Sequence, residues 1–406
     1  IKPPPHTAIA TMITSRRSQF YHSAYFPLVF LVFIAGFYFI PESKWLTNQF
    51  RIGLLLPFLL VFPWRQLQSR LSSSPTLTVS CLLVGFLLLS LLWSPAAAPG
   101  KSQKVIYQGI YVLGFILIGV DILLNRPGYT RDFFYWLGWV TVLTGCVSIW
   151  LFFHQHTFPG ARMSAIGQLR HPGFAATTYG VVGLYHFLGT PVVAAANLWQ
   201  RWLPGVLAAS TALLVVILCQ SRGALAGLLV TTCVGYAVSR QKRFLALLVA
   251  AMLVFLVAIL GWGDELWQMA NRDGLRQEIW QQSLGLLQQA PVLGYGILSS
   301  FPLVIDGIEI SHAHNLFLST SIYGGLVAGG LLLLLMALVL RQALRCRADN
   351  GDARPLLICV FCFTYIMTDG NTLITGPHPG WVFFWLPVIW AASREAHGHY
   401  QPGYRK

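Results

Sequence analysis

The chain has 406 residues, of which 55% are apolar and only 10% charged, with a mean hydropathy of +0.62. A water-soluble globule averages about 25% charged, so this composition excludes a soluble enzyme and points to a polytopic membrane protein. The 27 Lys and Arg against 13 Asp and Glu leave a net charge of +14, which in such a chain is a topology signal before it is a nucleic-acid footprint. No helix-turn-helix, zinc-finger or RNA-binding signature is present, so membrane lipids are expected partners and nucleic acid is not.

A span needs about 20 mostly apolar residues. Runs of that kind predict helices near 24–41, 48–64, 76–93, 105–124, 133–153, 174–194, 202–220, 223–238, 244–260, 315–340, 355–369 and 379–393, about twelve in all. Pro57 and Pro63 interrupt the second. No small-residue cleavage site follows the first, which is therefore expected to remain as a span. With the N-terminus inside, two thirds of the Lys and Arg fall on inner segments, so both termini are expected to be cytoplasmic. The seven cysteines are odd in number and mostly within apolar runs, which argues against a disulfide framework, and the Cys359–Cys362 pair reads as packing inside a span.

One connection is far longer than the rest. Residues 261–314 form an outer loop between the ninth and tenth spans, read as a subdomain inserted in a single transmembrane domain covering 1–406. Loops of that length in a compact bundle are usually functional. This one holds Asp264, Glu265, Asp273, Glu278, Asp306 and Glu309, with Arg272 and Arg276. Its stretch LRQEIWQQSLGLLQQA places Leu275, Ile279, Ser283 or Leu284, and Leu287 at helical spacing, consistent with a helix lying on the membrane surface. Pro291 stops it, and Gly294, Tyr295 and Gly296 permit a tight turn.

The outer-face charges run against the topology bias. Arg222, in QSRGAL, sits between two apolar runs; it either snorkels to headgroups or offers its planar fork to a phosphate. Arg276 stands four residues before Trp280, near enough on a helix to stack on that ring. Arg162, Arg170 and His171 share one outer connection. In SHAHNLFL, residues 311–318, His312 and His314 are two apart, which in an extended segment puts them on opposite sides and makes a shared metal awkward. Histidine also suits proton transfer near neutral pH.

These residues also carry a family resemblance. His314-Asn315, nine residues, Gly325, two residues and then a small position resembles the signature of the O-antigen ligases and the related O-antigen polymerases. Ala328 stands where that family has Gly, Thr or Tyr. SRGAL at 221–225, Arg276 with Trp280, PVLGYG at 291–296 and RHPGFAATTYG at 170–180 follow the family's order. The resemblance implies an all-α fold of the multi-span, GT-C-like glycosyltransferase class. It implies transfer of polysaccharide from undecaprenyl diphosphate to a sugar hydroxyl of the lipid A core, on the periplasmic face of the bacterial inner membrane, completing lipopolysaccharide.

The roles it implies are His314 as general base, Arg222 and Arg276 stabilising the diphosphate, and Asn315, His312, Trp280, Arg162, Arg170 and Tyr295 binding substrate. No cofactor and no metal are expected. The outer loops contain no DxD pair, although Asp306 and Glu309 remain possible ligands, and no motif places the carboxylate nucleophile that retention would need, so inversion is favoured. Asp369, Asn371 and His378, in the last outer connection, are candidates for contact with the acceptor sugar. Alternatives are an O-antigen polymerase, a pilin-glycosylating relative, or a lipid-linked glycan transporter that performs no bond chemistry.

Overall fold

In a bilayer each backbone N–H and C=O must be satisfied within the protein, so long apolar runs fold as helices. The computed structural model describes residues 21–95, 99–158, 160–189, 198–239, 275–301, 303–305 and 307–400, with the single residues 244 and 249. Its helices are α1 (Tyr21–Phe39), α2 (Ser43–Val61), α3 (Trp64–Ser73), α4 (Pro75–Leu92), α5 (Lys101–Asn125) and α6 (Tyr129–Gln155). There follow α7 (Pro172–Leu188), α8 (Leu198–Leu218), α9 (Arg222–Ser239) and α10 (Leu275–Gln289). After a short hairpin come α11 (Leu316–Asn350), α12 (Arg354–Ile366) and α13, which runs Trp381–Trp385 and continues as Leu386–Tyr400.

This is an all-α polytopic membrane protein. Helix coincides with each expected span except the one near 244–260, of which only residues 244 and 249 are described; the first part of the long loop, 261–274, lies outside the described residues. Among the described residues six helices are long and apolar enough to cross a membrane, or seven if α2 and α3 count as one bent span. That pair turns through 79° at Pro63, where the missing N–H and the ring break the helical ladder. Several of the remaining helices are too short to span alone, such as Arg354–Ile366.

The core is unusually aromatic. Trp381, buried at the start of α13, packs its ring 4.6 Å from Phe115 of α5, 5.2 Å from Phe50 of α2 and 6.0 Å from Phe33 of α1. Edge-on and tilted contacts of this kind add to the dispersion that holds helices together in lipid, where burial from water contributes little. Cys359 and Cys362 are buried in α12 within the same core.

Two features of the long loop depart from its reading as a helix lying on the membrane surface. Leu303–Ile305 (β1) pairs antiparallel with Ile308–Ile310 (β2). The sequence signal is Asp306-Gly307 between alternating apolar residues, a two-residue hairpin turn, and Gly307 takes φ +77°. Helix α10 forms as its periodicity predicts, but it is not laid only on a membrane surface. Its Ile279 packs against Leu303 and Ile305 of the hairpin, and Trp280 and Leu286 pack against Ala313, Leu318 and Ile322 at the start of α11.

The PVLGYG turn then docks into a break in α11. Gly325 has φ +63° and ψ −167°, and a Cβ there would stand 2.0 Å from the Val292 carbonyl oxygen. Only glycine permits both the conformation and the approach. Leu326 N–H donates to Pro291 O at 2.7 Å, and Gly296 N–H donates to Tyr323 O at 2.8 Å, so the motif's glycine is the seat on which the loop rests.

Candidate active site

The N-terminal ends of α7, α9 and α11 meet the C-terminal end of α12 at one end of the bundle. Three helix N-termini carry partial positive charge toward the same space, which favours an anion there. His171 precedes α7, Arg222 opens α9, and His314 stands just before Asn315, the N-cap of α11.

Asn315 explains why His314 is held where it is. Its Oδ1 accepts from Leu318 N–H at 3.0 Å, capping α11, while its Nδ2 donates to the Met367 carbonyl at 2.9 Å. The side chain is 6% exposed. Both ends of this amide are used within the chain, which makes it a clamp between α11 and the end of α12.

Opposite that clamp lies Asp369. His314 Nδ1 is 3.2 Å from Asp369 Oδ1, and because a carboxylate only accepts, the imidazole donates from Nδ1, so that in the neutral ring the lone pair is on Nε2. Tyr365 donates its hydroxyl to Asp369 Oδ2 at 3.1 Å. Burial pushes the Asp369 carboxyl up, but the His314 hydrogen bond, the charges of His171 and His314, and the Tyr365 hydroxyl outweigh it and hold the group below the usual carboxylate range.

His312 and His314 do not point apart. His314 has φ +46°, which breaks the strict alternation of an extended segment, and the two rings lie 4.0 Å apart. His312 Nδ1 pairs with Ser311 Oγ at 3.0 Å. Burial and then the His314 charge lower His312 to about 4, so it is neutral near pH 7. His312, His314 and Asp369 each offer one ligand atom, all within 4.8 Å of one another. A tetrahedral zinc site takes four donors, of which these residues could supply three. The expected obstacle to a shared metal, rings on opposite sides, is therefore absent.

The arginines gather at the same mouth. Gly223 follows Arg222, and a Cβ on it would fall 2.1 Å from Thr368 Oγ1, so α9 is pressed against the residue before Asp369. Arg276 and Arg162 both lie within electrostatic reach of Arg222, and Arg276 also acts on Tyr365. Arg162 donates from Nε to the Cys219 carbonyl at 3.3 Å. Arg170 is exposed and makes no hydrogen bond or ion pair among the described residues.

Like Asn315, Trp280 and Tyr295 have their polar atoms hydrogen-bonded within the chain. Trp280 Nε1 donates to Ala313 O at 3.1 Å, bracing the segment between the histidines. Tyr295 donates its hydroxyl toward Leu286 O and Gln289 Oε1, at 3.2 and 3.0 Å, which ties the turn to α10. His171 and His378 flank Phe174, with ring centroids 4.7 and 4.6 Å away. Burial, followed by the charge of His171, lowers His378 to about 4. Among the possible loop ligands, Glu309 lies in β2, and Asp306 lies outside the described residues.

Residues 207–335 match the family model Wzy_C, described as O-Antigen ligase. That stretch is similar to the O-antigen ligase family. No curated protein matches the chain. The O-antigen ligase match runs from within α8 into α11 and contains Arg222, Arg276, His312, His314 and Asn315. His171, Tyr365, Asp369 and His378 lie outside it, and the fold brings them to the O-antigen ligase residues.

Proposed function

We propose that this chain is a glycosyltransferase that ligates O-antigen polysaccharide from undecaprenyl diphosphate onto a sugar hydroxyl of the lipid A core, with inversion. The observation that carries this reading is the His314–Asp369 pair set beside Arg222, Arg276 and Arg162 at one end of a membrane bundle. Asp369 orients the imidazole, so Nε2 takes the proton as the acceptor oxygen attacks the anomeric carbon. The bond from that carbon to the diphosphate oxygen breaks, and the leaving group departs with its electron pair. Its growing negative charge is met by the Arg222 and Arg276 guanidiniums and by three helix N-termini. The donor supplies the energy, and no nucleotide is needed.

In this reading the protein lies in the bacterial inner membrane with both termini cytoplasmic and the histidine end periplasmic, where residues 261–314 form the cap. Donor, acceptor and membrane lipid are its partners. A second reading has a specific observation behind it. The ligand set of His312, His314 and Asp369 fits a divalent ion, which would bind the diphosphate directly.

The experiment supplies purified protein with lipid-linked glycan and lipid A core, with and without EDTA, for wild type and His314→Ala. Joined product from wild type in EDTA, lost in the variant, is the expected result. Loss in EDTA restored by zinc or manganese would replace the base mechanism with the metal one. Elongated lipid-linked glycan in place of ligated core would make the chain a polymerase.

A further inference from the structure

At the end of the bundle away from His314, a cavity of about 450 Å³ opens where α5 ends, α6 and α12 begin and α13 passes. That size falls in the range of roughly 300–1,000 Å³ common to small-ligand sites. Its wall is apolar and aromatic, including Phe30, Phe133, Ile358 and Trp390, whereas its rim carries Arg131, Arg354, Arg394 and Asp352.

The rim holds more positive charge than its carboxylates answer. Arg354 is committed, donating from Nε and Nη2 to the two Asp352 oxygens at 2.8 and 2.7 Å. Asp132 is shared between Arg126 at 2.9 Å and Arg131 at 3.5 Å. Glu395, beside Arg394 in sequence, accepts instead from Ser74 Oγ at 2.8 Å and Thr76 N–H at 2.9 Å, on the far side of α13. Arg394 makes no ion pair within 4.0 Å among the described residues, although its charge also acts on Asp352.

We propose that this cavity binds an anionic phospholipid, with the phosphate on Arg394 and Arg131 and an acyl chain along the apolar wall. A free phosphate uses the rim but leaves the wall empty, and a zwitterionic lipid brings its own cation to a surface already positive. Basic pockets between membrane helices are suited to anionic headgroups. The cavity is at the opposite end from the candidate active site, so the proposal does not rest on glycosyl transfer.

The test is native mass spectrometry of the full chain in neutral detergent, titrated with phosphatidylglycerol, phosphatidylcholine or inorganic phosphate. Phosphatidylglycerol is expected to bind most tightly, with Arg394→Gln and Arg131→Gln each weakening it about fivefold and Arg51→Gln leaving it unchanged. Arg131 is exposed and Arg394 half-buried, and circular dichroism of each variant checks that helix content is retained. Equal binding of the two lipids, equal binding of free phosphate, or wild-type affinity in both rim variants would overturn the proposal.

Discussion

Where α5 ends, Arg70 meets the fully buried Asp121 at 2.7 Å, His22 reaches the same carboxylate at 2.6 Å, and Arg354 grips Asp352. At the other end Arg276 and Arg162 both act electrostatically on Arg222, and Asp369 is hydrogen-bonded by His314 and Tyr365. One residue type does two jobs. Paired with the buried Asp121, Arg70 ties α3 to α5. Gathered with other cations near helix N-termini, arginine would, in the proposed reading, meet an incoming anion.

The comparison predicts that substitutions at the two ends separate activity from stability. His314→Ala should cost the largest factor, about 10²–10⁴ in rate, since the attacking hydroxyl loses its base; joined product per unit time measures this, with the melting temperature held. Arg276→Ala should cost about 10²–10³, the usual loss for one donor to a developing anion, again without unfolding. Arg70→Ala should do the reverse. It leaves Asp121 with His22 as its remaining ion-pair partner and should destabilise the fold by about 3–5 kcal/mol. An Arg70 variant of normal thermal stability, or an Arg276 variant that melts early, would break the contrast.

Asn315→Ala is a smaller effect with a mixed signature. Loss of the N-cap alone costs about 1 kcal/mol, and release of Met367 frees the loop bearing Asp369, so both melting temperature and rate should fall. A last prediction is a pH slope. His312 and His378 are held at about 4 in the folded chain against about 6.5 when unfolded. Between those values the unfolded state binds protons that the folded state refuses, so stability should rise with pH from about 4 to 6.5. His378→Asn should flatten part of that slope in thermal melts taken across the window.

Much of the fold was legible from hydropathy, because a bilayer punishes unsatisfied backbone so heavily that apolar run length nearly decides helix position. The break at Pro63 and helix α10 followed from local chemistry in the same way. The hairpin at 303–310 was also written locally, as Asp306-Gly307, but an all-helical reading of the loop passed over it. The site was only half legible. Arg222, Arg276, His314 and Asn315 stand in motifs, whereas Tyr295 and Trp280, in the same motifs, spend their polar atoms on bracing the loop.

Sequence by itself determined the solvent this chain folds in, the helices and the residue types that can bear charge at their ends, since each depends on neighbours within a few turns. Tertiary structure decided which of them meet. Asp369 is 55 residues from His314, and nothing local links them; α12 must return beside α11 before one can orient the other. The histidine pair is the same lesson at short range. Two residues apart in an extended strand they diverge, but a single left-handed residue turns both rings to one side, and it is held there by Asn315 reaching across to another helix.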